Sequence, residues 1–241
     1  MEPIEISTHE LPISQQLDAW QGWFDTVFDL HVLEPELGFA AKSAHWSFGS
    51  MSLSRVAAPA LRAVRSKALL RRNPIDHWVI TVGGRKTFGI SAGGIAFEVP
   101  AGIPFVASLG QELVSQRAQD ERLQLYLPRD SFSDLACVLD AVQGTPLNTP
   151  LGRLLGDYIR LLERSLHDLT TADAPKLMEA VKTMILACLS PSADPQAARQ
   201  ILLSRREKAK QAIVKHLRHP SLGPESLCRE LGMSRSQLYR L

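Results

Sequence analysis

The chain has 241 residues, 45% of them apolar and 22% charged, with a net charge of +2. That length allows two domains with cores of their own, and that composition excludes a disordered chain. No apolar run approaches the ~18 residues of a membrane span, and the start Met1-Glu2-Pro3-Ile4-Glu5 has no signal-peptide core.

Cys137, Cys188 and Cys228 are odd in number and far apart, with no CxxC pair or Cys/His cluster. They read as small buried hydrophobes of a reducing compartment. The expectation is a cytoplasmic protein with no metal, no cofactor and no membrane partner. Charge is uneven along the chain. From Arg205 to Leu241 nine basic side chains face three acidic ones, which leaves +6 there and −4 on residues 1–204. A basic tail on an acidic body suits a polyanion bound by the tail alone, although a charged helix face would give the same count.

In chain order, Leu17, Trp20, Phe24, Val27 and Phe28 recur at helical spacing and predict an amphipathic helix over 14–30, capped by Ser14. From Gly38 to Leu127 the period shortens. Strands are predicted at Phe39–Trp46 and Ser50–Ala57 around a Gly49 turn, then at Trp78–Val82, Lys86–Ile90, Ile95–Val99, Phe105–Ser108, Leu113–Ala118 and Leu123–Leu127. Residues 66–73 read as a short helix or loop. Many short strands closely spaced point to a sandwich or a jelly-roll barrel.

Beyond Pro128, Ser133–Val142 reads as a helix, and Leu151–Leu169 as a longer one with Leu151, Leu154, Leu155, Tyr158, Ile159, Leu162, Leu166 and Leu169 in one stripe. Leu177, Val181, Met184, Ile185 and Cys188 make a second stripe, so an antiparallel helical pair is expected over about 151–189. Ser190-Pro191-Ser192-Ala193-Asp194-Pro195 reads as a linker. The predicted division is residues 1–190, a linker at 191–198 and a C-terminal part at 199–241.

The end of the chain carries the sharpest pattern. Pro224 suits the first position of a helix whose Leu227 and Leu231 share a face, and Gly232 suits its left-handed cap. Ser234 and Gln237 form a capping box that opens a second helix with Leu238 and Leu241 inward. That leaves Arg235, Ser236, Gln237, Tyr239 and Arg240 on or near its outer side, the form of a helix-turn-helix facing a major groove. A helical hairpin with solvated arginines fits the spacing equally.

The segment Ile213–Leu241 resembles the first helix-turn-helix of AraC-type transcription regulators. The residues that carry the resemblance are Ile213…Leu217, Pro224-Glu225-Ser226-Leu227, Glu230-Leu231-Gly232-Met233-Ser234 and Leu238-Tyr239-Arg240-Leu241. Cys228 stands where the family usually has Ala. The family has a second helix-turn-helix, and its absence after Leu241 is expected to mark a truncation. The order of β-rich segment, Leu127-Pro128-Arg129, helical pair and helix-turn-helix also resembles the cupin-related sensor group of that family. The implied fold is α+β: a jelly-roll or cupin-like β barrel with a helical pair, then a partial all-α helix-turn-helix domain.

The resemblance implies a homodimeric regulator that senses a small-molecule effector and binds an operator DNA. Ser236, Tyr239 and Arg240 would lie nearest the base edges. Arg235 and Gln237 would reach phosphates, helped by Arg205, Arg206, Lys208 and Lys210. The alternative is a ligand-binding and dimerisation module without DNA binding of its own.

A metal-dependent cupin enzyme is the third reading. Gly94 and Pro100-Ala101-Gly102 resemble a cupin motif, but Phe105 stands where the metal-binding His would come, and Val79 where His77 would need a second imidazole. A divalent site needs three or four converging ligands, so no enzyme is expected. His77, His31 and His45 read as ordinary strand or surface histidines. Trp46, Arg55, Arg65 and Trp78 are candidate pocket residues, with ion pairing as the competing role for the arginines.

Overall fold

Alternating apolar and polar residues between Lys42 and Pro128 build two antiparallel sheets in a computed structural model. The structure describes residues 1–24, 27–91 and 96–190, and beyond them 212–213, 216–217, 219, 222–231 and 238. The chain divides into two compact units, Met1–Leu189 and Ser190–Leu241.

In the first unit a six-stranded sheet runs in the order β1 (Ile4–Ser7), β3 (Lys42–Phe48), β4 (Met51–Ala58), β11 (Asp120–Pro128), β6 (His77–Gly83), β9 (Pro104–Ser108). A five-stranded sheet runs β2 (Asp29–Val32), β5 (Leu61–Arg65), β10 (Leu113–Arg117), β7 (Thr87–Ser91), β8 (Ala96–Val99). The expected closed barrel gives way to two open sheets, because no described strand of one is hydrogen-bonded to a strand of the other. They meet through side chains, as a sandwich does.

The β3–β4 hairpin forms as expected. Phe48 pairs with Met51 across Gly49 and Ser50, and Gly49 adopts the left-handed φ of 63° that such a short loop demands. The helix predicted over 14–30 is shorter: α1 covers Ile13–Trp23. Its N-cap is Pro12, with no side-chain cap from Ser14. Beyond it Asp29–Val32 leaves the helical path to pair with Leu61–Val64 of β5. Strands β1, β2 and β5 were not expected from the pattern; each is only four or five residues long.

Helix α2 (Lys67–Arg72) is capped by Ser66, whose hydroxyl accepts from the Leu69 N–H. The predicted 133–142 helix is a 3₁₀ turn at Ser133–Leu135 followed by α3 (Ala136–Val142). Helix α4 (Pro150–Ser165) begins with Pro150 behind an N-cap Thr149, and its last predicted turn is a 3₁₀ segment, Leu166–Asp168. Gly152 is required there, since a Cβ would lie 2.1 Å from the Leu147 carbonyl oxygen. Helix α5 covers Ala174–Leu189.

The main core lies between the six-stranded sheet and this helical pair. Leu53, Trp78, Ile80, Leu125 and Leu127 meet Leu155, Ile159, Leu162, Val181 and Ile185, all buried. The α4 stripe is therefore narrower than predicted, because Leu151 and Leu154 are 46% and 48% exposed. Among the described residues no helix is long and apolar enough to cross a membrane.

Candidate functional site

Strand β11 positions the site through its period of two. Leu123, Leu125 and Leu127 face the helices, so Arg122, Gln124 and Tyr126 face the second sheet. There they line a cavity with two lobes. One lobe, about 40 Å³, is walled by Phe97, Phe105, Leu113 and Ser115. The other, about 100 Å³, is walled by Trp20 of α1 and Phe24 just after it, with Phe39 and Leu61. Phe28, Arg117, Arg122, Gln124 and Tyr126 belong to both lobes. Phe97 stacks on Phe105 with ring centroids 4.4 Å apart, and Gly89 leaves the room for it, since a Cβ there would lie 2.2 Å from the Phe97 ring.

The polar side of this cavity is cationic. Arg122 is 3% exposed and pairs with Asp120, while its Nε has no hydrogen-bond partner. Arg117 donates from Nε to Ser115 Oγ at 3.1 Å and sits 5.7 Å from the Phe28 ring centroid. Burial first, and the neighbouring Arg122 charge second, bring the Arg117 guanidinium down to about 9. Burial also lowers Arg122, against the pull of Asp120. The Tyr126 phenol is pushed up by burial. A guanidinium out of water and short of a counter-charge favours an anion beside it.

The pocket residues expected from the sequence lie elsewhere. Arg65 is fully buried, but its guanidinium is filled by backbone carbonyls, those of Leu109, Val27 at 2.7 Å, Asn73 at 2.8 Å and Ile75 at 3.4 Å. Arg55 pairs with Glu163 of α4 at 2.8 Å and lies 5.8 Å from the Trp46 ring. Trp78 faces the helices and donates from Nε1 to Asp140. Phe105, at the position of a cupin metal ligand, is part of the aromatic wall. His77 Nδ1 is buried without a hydrogen-bond partner. Among the described residues no three His, Cys, Asp or Glu side chains converge.

In the second unit, α6 (Pro224–Leu231) opens with Pro224 and buries Leu227, as its spacing predicts. Ser226 Oγ accepts from the Gly223 N–H at 2.9 Å and so serves the start of this helix. His216 reaches Glu230 at 3.1 Å. Leu238 is helical and half-buried. The predicted cap at Gly232, the capping box of Ser234 and Gln237, and the proposed DNA-reading residues Arg235, Ser236, Gln237, Tyr239 and Arg240 lie outside the described residues, as does the 191–198 linker.

The chain is similar to an AraC-like transcriptional activator, CuxR. The match has a TM-score of 0.70 at 26% identity, over 98% of this chain and 87% of that one. Ectoine synthase from P. lautus overlaps far less, with a TM-score of 0.28 at 15% identity over 36% and 64% of the two chains. An RmlC-like cupin protein from Desulfovibrio desulfuricans has a TM-score of 0.22 at 16% identity over 43% and 85%. No family model matches the sequence, and no curated protein does.

Proposed function

We propose that this chain is a one-component transcription regulator of the AraC type. The cavity between its sheets takes a small-molecule effector, and residues 199–241 bind DNA. The observation that carries the reading is the likeness to a transcriptional activator along 98% of the chain. The +6 charge after residue 204 and the helix-turn-helix wording of Pro224–Leu241 agree with it. In this reading Ser236, Tyr239 and Arg240 meet base edges, Arg235 and Gln237 meet phosphates, and Arg240 supplies ~1–3 kcal/mol of discrimination for a guanine.

Dimerisation is assigned to the helical pair. Leu151, Leu154 and Leu161 are 46%, 48% and 56% exposed and lie along one side of α4, an apolar strip that a second copy would cover.

The test is selection of binding sites from random duplex DNA by the intact protein, followed by gel-shift titration of the enriched sequence. A regulator enriches one motif, binds it more weakly as salt rises, and loses preference at one base pair in Arg240→Ala. Recovery of no motif would assign the chain instead to ligand binding and dimerisation alone.

A further inference from the structure

Among the described residues the space between the sheets holds two guanidiniums, Arg122 buried and Arg117 half-buried, and one buried carboxylate. Asp120 forms its ion pair with Arg122, and its charge also acts on Arg117 from beyond ion-pair distance. Arg117 has no carboxylate within ion-pair distance among the described residues, and the other basic wall residue, Arg85, is exposed. Among the described residues the cavity wall therefore carries one positive charge in excess, together with an Nε–H of Arg122 that is buried and unused. The same wall carries the aromatic rings of Phe28, Phe97 and Phe105.

We propose that the effector is a small organic monocarboxylate, its carboxylate held between Arg117 and Arg122 and its apolar body laid against Phe28, Phe97 and Phe105. The proposal rests on the reading of this cavity as the effector site. One negative charge balances the excess cation, whereas a phosphate monoester would overshoot it. Lobes of about 40 and 100 Å³ suit a compact acid better than a nucleotide. A guanidinium edge matches the two oxygens of a carboxylate, and the neutral amide of the same acid offers no charge to the pair.

The experiment is thermal unfolding of the purified full chain with sodium benzoate or sodium hexanoate, beside benzamide, hexanamide, inorganic phosphate and sulfate. The expected result is a saturable rise of about 3 °C or more with the carboxylates and none with the amides or inorganic anions. Arg117→Met and Arg122→Met abolish that rise, and Arg117→Lys, which keeps the charge without the fork, weakens it. Arg117→Met also raises the midpoint of the free protein, because a half-buried cation with no carboxylate in ion-pair contact is removed from beside Arg122. Equal shifts from acid and amide would leave an effector cavity standing and overturn its anionic class. Equal shifts from inorganic anions, no shift with either acid, or a full shift retained in both methionine variants overturn the proposal as well. None of these outcomes bears on DNA selection, which is read separately.

Discussion

Arg129 lies over the face of Trp78, its guanidinium carbon 4.1 Å from the ring centroid. Both side chains donate to Asp140. Trp78 Nε1 reaches Oδ1 at 2.8 Å, and Arg129 makes a fork, 2.8 Å to Oδ1 and 3.1 Å to Oδ2. Strand β6, the end of β11 and helix α3 are joined at this point. With Arg129 and Asp140 about a tenth exposed, the pair is poorly screened, but Arg129 is also paired with Asp76 at 2.7 Å and keeps that carboxylate when Asp140 is lost. Asp140→Ala is expected to cost about 2 kcal/mol of unfolding free energy, because the buried Trp78 N–H loses its acceptor, read by urea titration. Asp140→Asn, which keeps an acceptor for the indole, is expected to cost less.

Arg65 presents the opposite arrangement, a buried cation answered by carbonyls alone. It joins β5 to the segment after α2 and to the β9–β10 connection. Arg65→Met removes charge-assisted hydrogen bonds and leaves those carbonyls buried, with an expected loss of about 3 kcal/mol. Arg117→Met, a chemically identical change, is expected to shift stability the other way. Unfolding of both variants side by side checks the assignment of one arginine to structure and the other to ligand.

Leu155 and Leu151 test which side of α4 meets the sheet. Leu155 is fully buried and Leu151 is 46% exposed. Leu155→Ala is expected to cost about 3 kcal/mol, while Leu151→Ala stays within about 0.5 kcal/mol in the monomer. A clear fall in dimer affinity for Leu151→Ala in sedimentation would support the apolar strip as the dimer contact.

His45 sets an expected acid dependence. Its Nδ1 lies 2.8 Å from Ser54 Oγ, and burial holds the imidazole below its ordinary value of 6.5. The unfolded chain thus takes up this proton more readily than the folded one. Stability from this residue is complete above pH 6.5 and falls as pH drops below it toward the folded value. Urea midpoints at pH 7.5 and 5.5 should differ less in His45→Gln than in the parent.

Much of this architecture was legible in the order of residues. Turn glycines such as Gly49, β-branched runs such as Val79–Val82 and the leucine spacing of α4 report backbone geometry through local rules. Strands β1, β2 and β5 were not: Leu61–Arg65 is a strand because Val64 has β10 on one side and β2 on the other, which no local pattern encodes. The cavity was missed for a related reason. Arg122, Gln124 and Tyr126 alternate with leucines, and alternation reads as a solvated face.

By itself the sequence determined the β-then-α order, the helix start at Pro224 and the basic tail, because each depends on neighbours a few positions apart. Only the tertiary structure decided which arginines are structural and which face a cavity. A side chain's role is set by what stands opposite it. For Arg65 that is a set of carbonyls, whereas for Arg117 it is an aromatic-walled space between two sheets.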